Sequence, residues 1–503
     1  MAELSDPALQ VIVLGSGGGP EESNVTALLV RSVAENWSKG SIVAVDAGVH
    51  LSAVARLVQE AYPDVLPAKP PFTLTRGPFA GLDLPHASAS ANAAHITRSL
   101  VDTYLITHPH LDHISGFVVN TAGLPGTRPK KLAGLPSTIQ ALKNHVFNNV
   151  IWPNLSDENN GAGLITYLRL VEGGSPALGN GPGKGYVEVC DGLLVKALGV
   201  SHGHCIERHS HRGSASGASP RFGSHDASSQ TPRRDLHSHV GSQLATRGQA
   251  LLLSQAALST AAAAAVSSSP SPSPQFGGSG GELDKYCVYD SSAYFIQDQS
   301  HRREVLIFGD VEPDSISLNP RNLGVWQEAA PKIAAGTLTA LFIECSYDDS
   351  QSNDRLFGHL KPCFIMEEMQ VLADEVDSAR RLLRASDTRK RKRPNLDDDA
   401  ADAAAVSPKS AKPTASRPAG SAAEHGAHTP HLATPTDELS LPEALELARP
   451  LQGLKVVIIH VKERLDDGPC VGDSILQQLK EHEAKANLGC EFVISKSGMS
   501  FYF

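Results

Sequence analysis

THPHLDH, residues Thr107 to His113, stands directly behind the apolar, β-rich run DTYLI at Asp102 to Ile106. That placement puts His108 where a buried strand gives way to a loop, and Pro109 discourages a helix immediately after it. His110, Asp112 and His113 follow within five residues. Neutral imidazole and carboxylate are ligands for zinc and similar divalent ions, and four of them crowded onto one turn are costly unless something cationic organises them. A lone histidine among the chain's 21 reads as a surface or hydrogen-bonded residue; the cluster reverses that reading.

The rest of the chain can support an enzyme around this segment. Its 503 residues are 41% hydrophobic, enough for a substantial core, and the formal net charge of -10 gives no overall basic footprint for nucleic acid. Seven scattered cysteines without CxxC spacing fit a reducing compartment better than a disulfide framework or a zinc finger. The opening MAELSDPALQVIVLG has no basic n-region and reads as a first strand. Ala250 to Val266, the one long apolar stretch, is mostly alanine and broken by Ser254, Gln255, Ser259 and Thr260, so no membrane span is expected.

From Val11 to about Gly203, β-rich runs such as VIVLG, SIVAVDAG and LLVKALGVSH alternate with helical patterns such as Leu51 to Tyr62. Strand-like CVYDSSAYFI, EVLIFGD and LTALFIECSY follow later, then a helix at Cys363 to Glu375. The last segment supplies a strand in LKVVIIHVKERL, a helix at Ser474 to Ala484 and a final strand. Between them lie two stretches too poor in apolar residues to offset their ordering entropy, a Ser/His-rich one at 205–283 and one with a basic run at 386–435. The expectation is one discontinuous α/β domain, residues 10–204, 284–385 and 436–503, interrupted by two disordered insertions.

The HxHxDH pattern resembles the signature of the metallo-β-lactamase superfamily. The fuller run HPHLDHISGFVVN, with Ile114, Ser115 and Gly116 after the donors, resembles that of class II 3′,5′-cyclic-nucleotide phosphodiesterases. LGSGGGP at Leu14 to Pro20, VDAG at Val45 to Gly48, FGDVEPDS at Phe308 to Ser315, LFGHLKP at Leu356 to Pro362 and VIIHVKE at Val457 to Glu463 arrive in that family's order. The resemblance implies a metallo-β-lactamase-like αββα sandwich of two packed mixed β-sheets. It implies two divalent metal ions, zinc first among them, one held by His108, His110 and His202 and the other by Asp112, His113 and His460, with Asp310 bridging both. It further implies hydrolysis of cyclic AMP, and of cyclic GMP as a second substrate, to the 5′-monophosphate by a metal-bridging hydroxide, which lowers cyclic-nucleotide signalling. Asp112 and His359 are then the residues closest to the chemistry, Asp112 as a ligand first and His359 as an acid near the leaving group.

Local pattern agrees with part of this assignment, because His202, Asp310 and His460 each end a strand-like run, where sites on sheets commonly gather. His204 would share the orientation of His202 in an extended segment, and motif order favours His202. His359 reads equally as a helix-capping or solvent-facing residue, Asp46 equally as a turn residue or as a support behind the ligands, and Glu344 as structural or as such a support. The Gly15 to Gly19 turn lacks the ending of a nucleotide loop. The expected partner is a cyclic nucleotide, with no membrane and no stable nucleic-acid partner; the oligomeric state is open, a homodimer included. Localisation reads as cytoplasmic, with RKRKRP at Arg389 to Pro394 either a nuclear-import signal or a solvated charge run. Two other readings stand beside the phosphodiesterase: a tRNA 3′-processing endonuclease, and a noncatalytic nuclear scaffold with a degenerate metal domain.

Overall fold

Successive side chains of a strand point to opposite faces, and in Leu9–Gly15 both sets are apolar apart from Gln10. Val11 and Val13 join one buried cluster, Ile12 and Leu14 another. This is the pattern of a strand covered on both sides, and it explains why the sequence shows continuous apolar runs rather than alternation. The structure, a computed structural model, describes residues 6–63, 69–123, 128–178, 184–207, 285–391 and 449–503.

Two seven-stranded mixed sheets form the centre. In spatial order the first runs Ser500–Tyr502, Leu9–Gly15, Ala27–Ser32, Ile42–Val45, Val101–Leu105, Lys130–Gly134 and Ile165–Arg169. The second runs Glu491–Ile494, Lys455–Ile459, Leu338–Glu344, Glu304–Phe308, Lys285–Asp298, Leu193–Glu207 and Val187–Cys190. Residues from both, among them Val11, Val30, Leu105, Tyr294, Ile307, Phe342 and Val457, make a single apolar layer between the sheets. The helices Leu51–Glu60 and Leu111–Gly123 pack on the outer face of the first sheet through Val54, Leu57, Ile114 and Phe117. Asn322–Ala334, Pro362–Arg391 and Val471–Ala486 cover the second through Trp326, Met369 and Ile475. The layering is therefore αββα, as expected from the sequence.

Several boundaries differ from the sequence expectation. The helix expected at Cys363–Glu375 runs Pro362–Arg391 and takes in Arg389 to Arg391 of the basic run. No glycine or proline occurs between Pro362 and Pro394, and Arg380 to Arg384 are all good helix formers, so nothing local stops it. Cys205 to Glu207 continue a strand, and its partner begins at Lys285. Apart from these edges, the two expected disordered insertions lie outside the described residues, as does Ala250 to Val266. Among the described residues no helix is long and apolar enough to cross a membrane.

The helix that begins at Leu111 approaches the first sheet closely enough to require two glycines. A Cβ on Gly48 would lie 1.8 Å from the Asp112 carbonyl oxygen, and one on Gly116 would lie 2.8 Å from the Ala47 carbonyl oxygen. The helix start that carries Asp112 and His113 is thereby pinned against the end of Ile42–Val45. We expect Gly48→Ala to lower stability by roughly 1–3 kcal/mol through overpacking, read as a shifted midpoint in urea unfolding; an unchanged midpoint would show that the contact yields freely.

Candidate metal centre

Asp46, His108, Asp310 and His460 all follow immediately or closely on the carboxyl ends of buried strands, and Glu344 is the last residue of one. Asp46 is buried at φ 54°, a left-handed backbone that L-residues other than Asn and Asp seldom adopt. Its Oδ1 accepts the Thr107 N–H at 2.9 Å, and its Oδ2 accepts the Thr107 hydroxyl at 2.8 Å and His113 Nδ1–H at 2.7 Å. Asp46 is more than a turn residue, since it fixes the orientation of one histidine and of the residue before another.

The same arrangement recurs around the cluster. His202 Nδ1 donates to the Gly358 carbonyl at 2.8 Å. His108 Nδ1 lies 3.1 Å from the Thr107 hydroxyl oxygen, whose proton is given to Asp46, so the ring is the donor. His460 Nδ1 lies 2.7 Å from the Thr26 hydroxyl, which in turn donates to the Gly17 carbonyl at 3.2 Å. In all four rings the outer nitrogen carries a proton, so that when the ring is neutral Nε2 presents a lone pair to the interior.

Those lone pairs converge on another acceptor. His113 Nε2 is 3.2 Å from Asp310 Oδ1; His460, His108 and His202 Nε2 are 3.2, 3.6 and 3.6 Å from Oδ2. Asp112 Oδ2 is 3.7 Å from His460 Nε2 and 3.9 Å from His113 Nε2, and His110 Nδ1 is 2.9 Å from His108 Nε2. Two overlapping groups result, His108, His110, His202 and Asp310 in one and Asp112, His113, His460 and Asp310 in the other. The donor atoms of each group lie within 4.8 Å of one another. His113 Nε2 and His460 Nε2 are buried without a hydrogen-bond partner. Buried acceptors facing a carboxylate repel one another unless a cation lies among them, and two ligands on one tetrahedral zinc stand about 3.3 Å apart. The residues fit metal ions, and an all-nitrogen-and-oxygen set suits several divalent metals.

Burial holds the imidazoles of His108, His202 and His460 below their ordinary range, and pushes His110 down to about 4 with help from His202. Burial opposes ionisation of Asp310 too, but the histidines around it, His113 and His460 foremost, keep its carboxyl well below the usual range. His113 is the exception among the rings: burial would lower it, yet Asp310 and Asp46 together hold it well above its normal value. Without a cation, the cluster's one stabilised proton is on His113.

His202 and His204 do not share an orientation. His202 is 3% exposed while His204 faces solvent. The register with Lys285–Asp298 slips between Ser201 and His204, and Gly203 sits at φ 74°, so a bulge turns the two side chains apart. His359 is buried rather than solvent-facing, with Nδ1 donating to Glu344 Oε1 at 2.8 Å and lying 3.8 Å from Asp310 Oδ2. Glu344 is locked by the Val311 N–H at 3.0 Å and the Ser346 hydroxyl at 2.8 Å. Gly18 of the glycine turn lies against the His460 ring, where a Cβ would come within 2.6 Å. Thr26 and Gly358 went unnoticed in the sequence because their partners are 434 and 156 residues away. His209, His211, His225, His237 and His239 lie outside the described residues.

The fold is an αββα sandwich with this donor set at its strand ends. The sequence profile of the family described as "cAMP phosphodiesterases class-II" matches residues 9–172 and 253–386, more than half of the chain, and the chain belongs to that family. It is a 3′,5′-cyclic-nucleotide phosphodiesterase, which sets aside the endonuclease and scaffold readings. The 3′,5′-cyclic-nucleotide phosphodiesterase of Schizosaccharomyces pombe is 27% identical over 375 residues, 75% of this chain and 78% of that protein. That of Candida albicans is 23% identical over 403 residues, covering 73% and 83%. The crystal structure of unliganded yeast PDE1 superposes with a TM-score of 0.56 at 17% identity, over 99% of this chain and all of that one, and shares the fold.

A cation entering the cluster has to displace the proton that Asp310 and Asp46 stabilise on His113. Below the raised pKa of His113 that proton competes with the metal; above it the competition vanishes. Zinc affinity should therefore fall on acidification, roughly tenfold per pH unit for each proton displaced. Isothermal titration in buffers of different ionisation enthalpy reads the released proton directly, and pH-independent binding would contradict the assignment. His202→Ala should lower bound zinc in elemental analysis, whereas His204→Ala should leave it unchanged.

Proposed function

We propose that His108, His110 and His202 hold one divalent cation, Asp112, His113 and His460 a second, and Asp310 both, and that the enzyme hydrolyses cyclic AMP, with cyclic GMP as a second substrate. The observation that carries this reading is the convergence of inward Nε2 lone pairs on Asp310, two of them buried and unpaired. Zinc is the first candidate ion from the donor types. When bound, such cations make a water nucleophilic near neutral pH and neutralise charge on a phosphoryl oxygen.

The chain's own residues do the rest. Asp46, Thr26 and Gly358 fix the tautomers that keep the inward nitrogens unprotonated. Asp112 is a ligand first, and its 28% side-chain exposure, beside exposed His110, marks the open side of the cluster. Attack of water at phosphorus breaks the bond to the ribose 3′-oxygen, which leaves as a poorly stabilised alkoxide unless a proton reaches it. His359 supplies that proton: Glu344 accepts from its Nδ1 at 2.8 Å and fixes the ring, leaving Nε2 as the nitrogen that gives a proton to the leaving oxygen. The product is the nucleoside 5′-monophosphate, and the consequence is a lower cyclic-nucleotide level in a cytoplasmic setting.

Purified, metal-loaded protein should turn over cyclic AMP and lose that activity to a chelator; a folded, loaded preparation with no turnover would overturn the reading. His359→Ala should lower kcat on cyclic AMP by about 10²- to 10⁴-fold. The loss should be much smaller on a 4-nitrophenyl phosphodiester, whose leaving group needs no proton. Equal losses on both would remove His359 from the proton-donor role.

A further inference from the structure

The cluster is sealed on most sides. Asp310, His108, His202, His359 and His460 are all buried, and Tyr347, whose ring is 6.1 Å from that of His359, is itself half-buried. The opening lies at His110 and Asp112. A cyclic nucleotide with its phosphate at the cations must send ribose and base out through that opening.

Among the described residues, one aromatic side chain stands there. The Tyr289 ring is centred 6.1 Å from that of His110 at an interplanar angle of 69°, and the His110 ring is 5.2 Å from that of His202. Tyr289 is 43% exposed, and Leu111, which follows His110, is 73% exposed. Single exposed aromatics are ordinary on a protein surface; what distinguishes this one is its position beside a proposed ligand.

Its backbone is also fixed. The register pairs Ser201 with Asp290 and His204 with Val288, so Tyr289 is opposed by His202 and Gly203 together, the two-against-one arrangement of the bulge. Asp290 Oδ1 accepts from Arg321 Nη2 at 3.0 Å, and Arg321 also donates to the Val200 carbonyl at 2.6 Å and to Ser201 Oγ at 3.0 Å. The bulge that sends His202 inward thus also anchors an aromatic ring at the mouth. A tyrosine has only two side-chain torsions to immobilise, so it offers a flat apolar face at low entropic cost.

We propose that Tyr289 is the platform on which the nucleobase of the substrate stacks, a specificity-determining residue for the reaction. The inference rests on the reading above, in which the phosphate is bound at the cluster. Stacking is indifferent to the pattern of ring substituents, so it selects for a planar base and leaves the choice between adenine and guanine to other contacts.

The test compares cyclic AMP with ribose 3′,5′-cyclic phosphate, which has the same reacting bond and no base, on the metal-loaded full chain. Wild type should prefer cyclic AMP in kcat/KM. Tyr289→Ala should narrow that preference roughly 5- to 100-fold, mainly through KM for cyclic AMP, and Tyr289→Phe should keep it. Tyr289→Leu, which retains apolar bulk without a ring, provides the second variant if the alanine protein fails to fold and should also narrow the preference. An unchanged preference in the Ala or Leu protein, or equal losses on both substrates, overturns the proposal while leaving the phosphodiesterase reading intact. A loaded wild type that hydrolyses neither compound removes both.

Discussion

Four imidazole lone pairs aimed at a buried carboxylate are an arrangement that a protein core does not tolerate by itself. Each nitrogen has given up water, and Nε2 of His113 and of His460 has no hydrogen-bond partner. The surrounding structure maintains the convergence by committing every outer nitrogen to a fixed acceptor: Asp46 for His113, Thr107 for His108, Gly358 for His202, Thr26 for His460. Loss of any of these partners would let a ring flip or change tautomer, turning an inward lone pair into an inward proton. A cation bound by the cluster would therefore depend as much on these outer contacts as on the residues that could hold it.

The backbone supplies positions that side-chain chemistry alone does not. Strands from both sheets end at one crevice, which brings Asp46 and His108 from the first sheet within reach of Asp310 and His460 from the second. Gly18, Gly48 and Gly116 permit approaches that a Cβ would block, and the bulge at Gly203 separates His202 from His204. In each case a local irregularity aims a donor that regular geometry would have pointed elsewhere.

Much of this was legible beforehand. The α/β texture followed from continuous apolar runs alternating with helical periodicity, because strands covered on both faces leave that imprint, whereas the αββα layering was implied by the resemblance of the motifs to a known family. His108, His110, Asp112 and His113 announced themselves by density, whereas His202, Asp310 and His460 were implied by the family resemblance, with their places at strand ends in agreement. Less was visible where the signal was not local. The helix from Pro362 outran its expected end because composition blurs where a good helix former stops packing and continues into solvent. For Asp46 and Glu344 the sequence left a turn or structural role open beside one behind the ligands, and the fold shows what their oxygens hold.

The sequence by itself determined the class of fold, the donor types and the membership of a phosphodiesterase family, because those depend on residue identity, order and short-range period. Only the tertiary structure decided which histidines face inward, which proton each ring carries and which aromatic stands at the mouth. Those properties depend on hydrogen-bond partners hundreds of residues apart and on a one-residue slip in strand register, and neither leaves a trace in the local sequence.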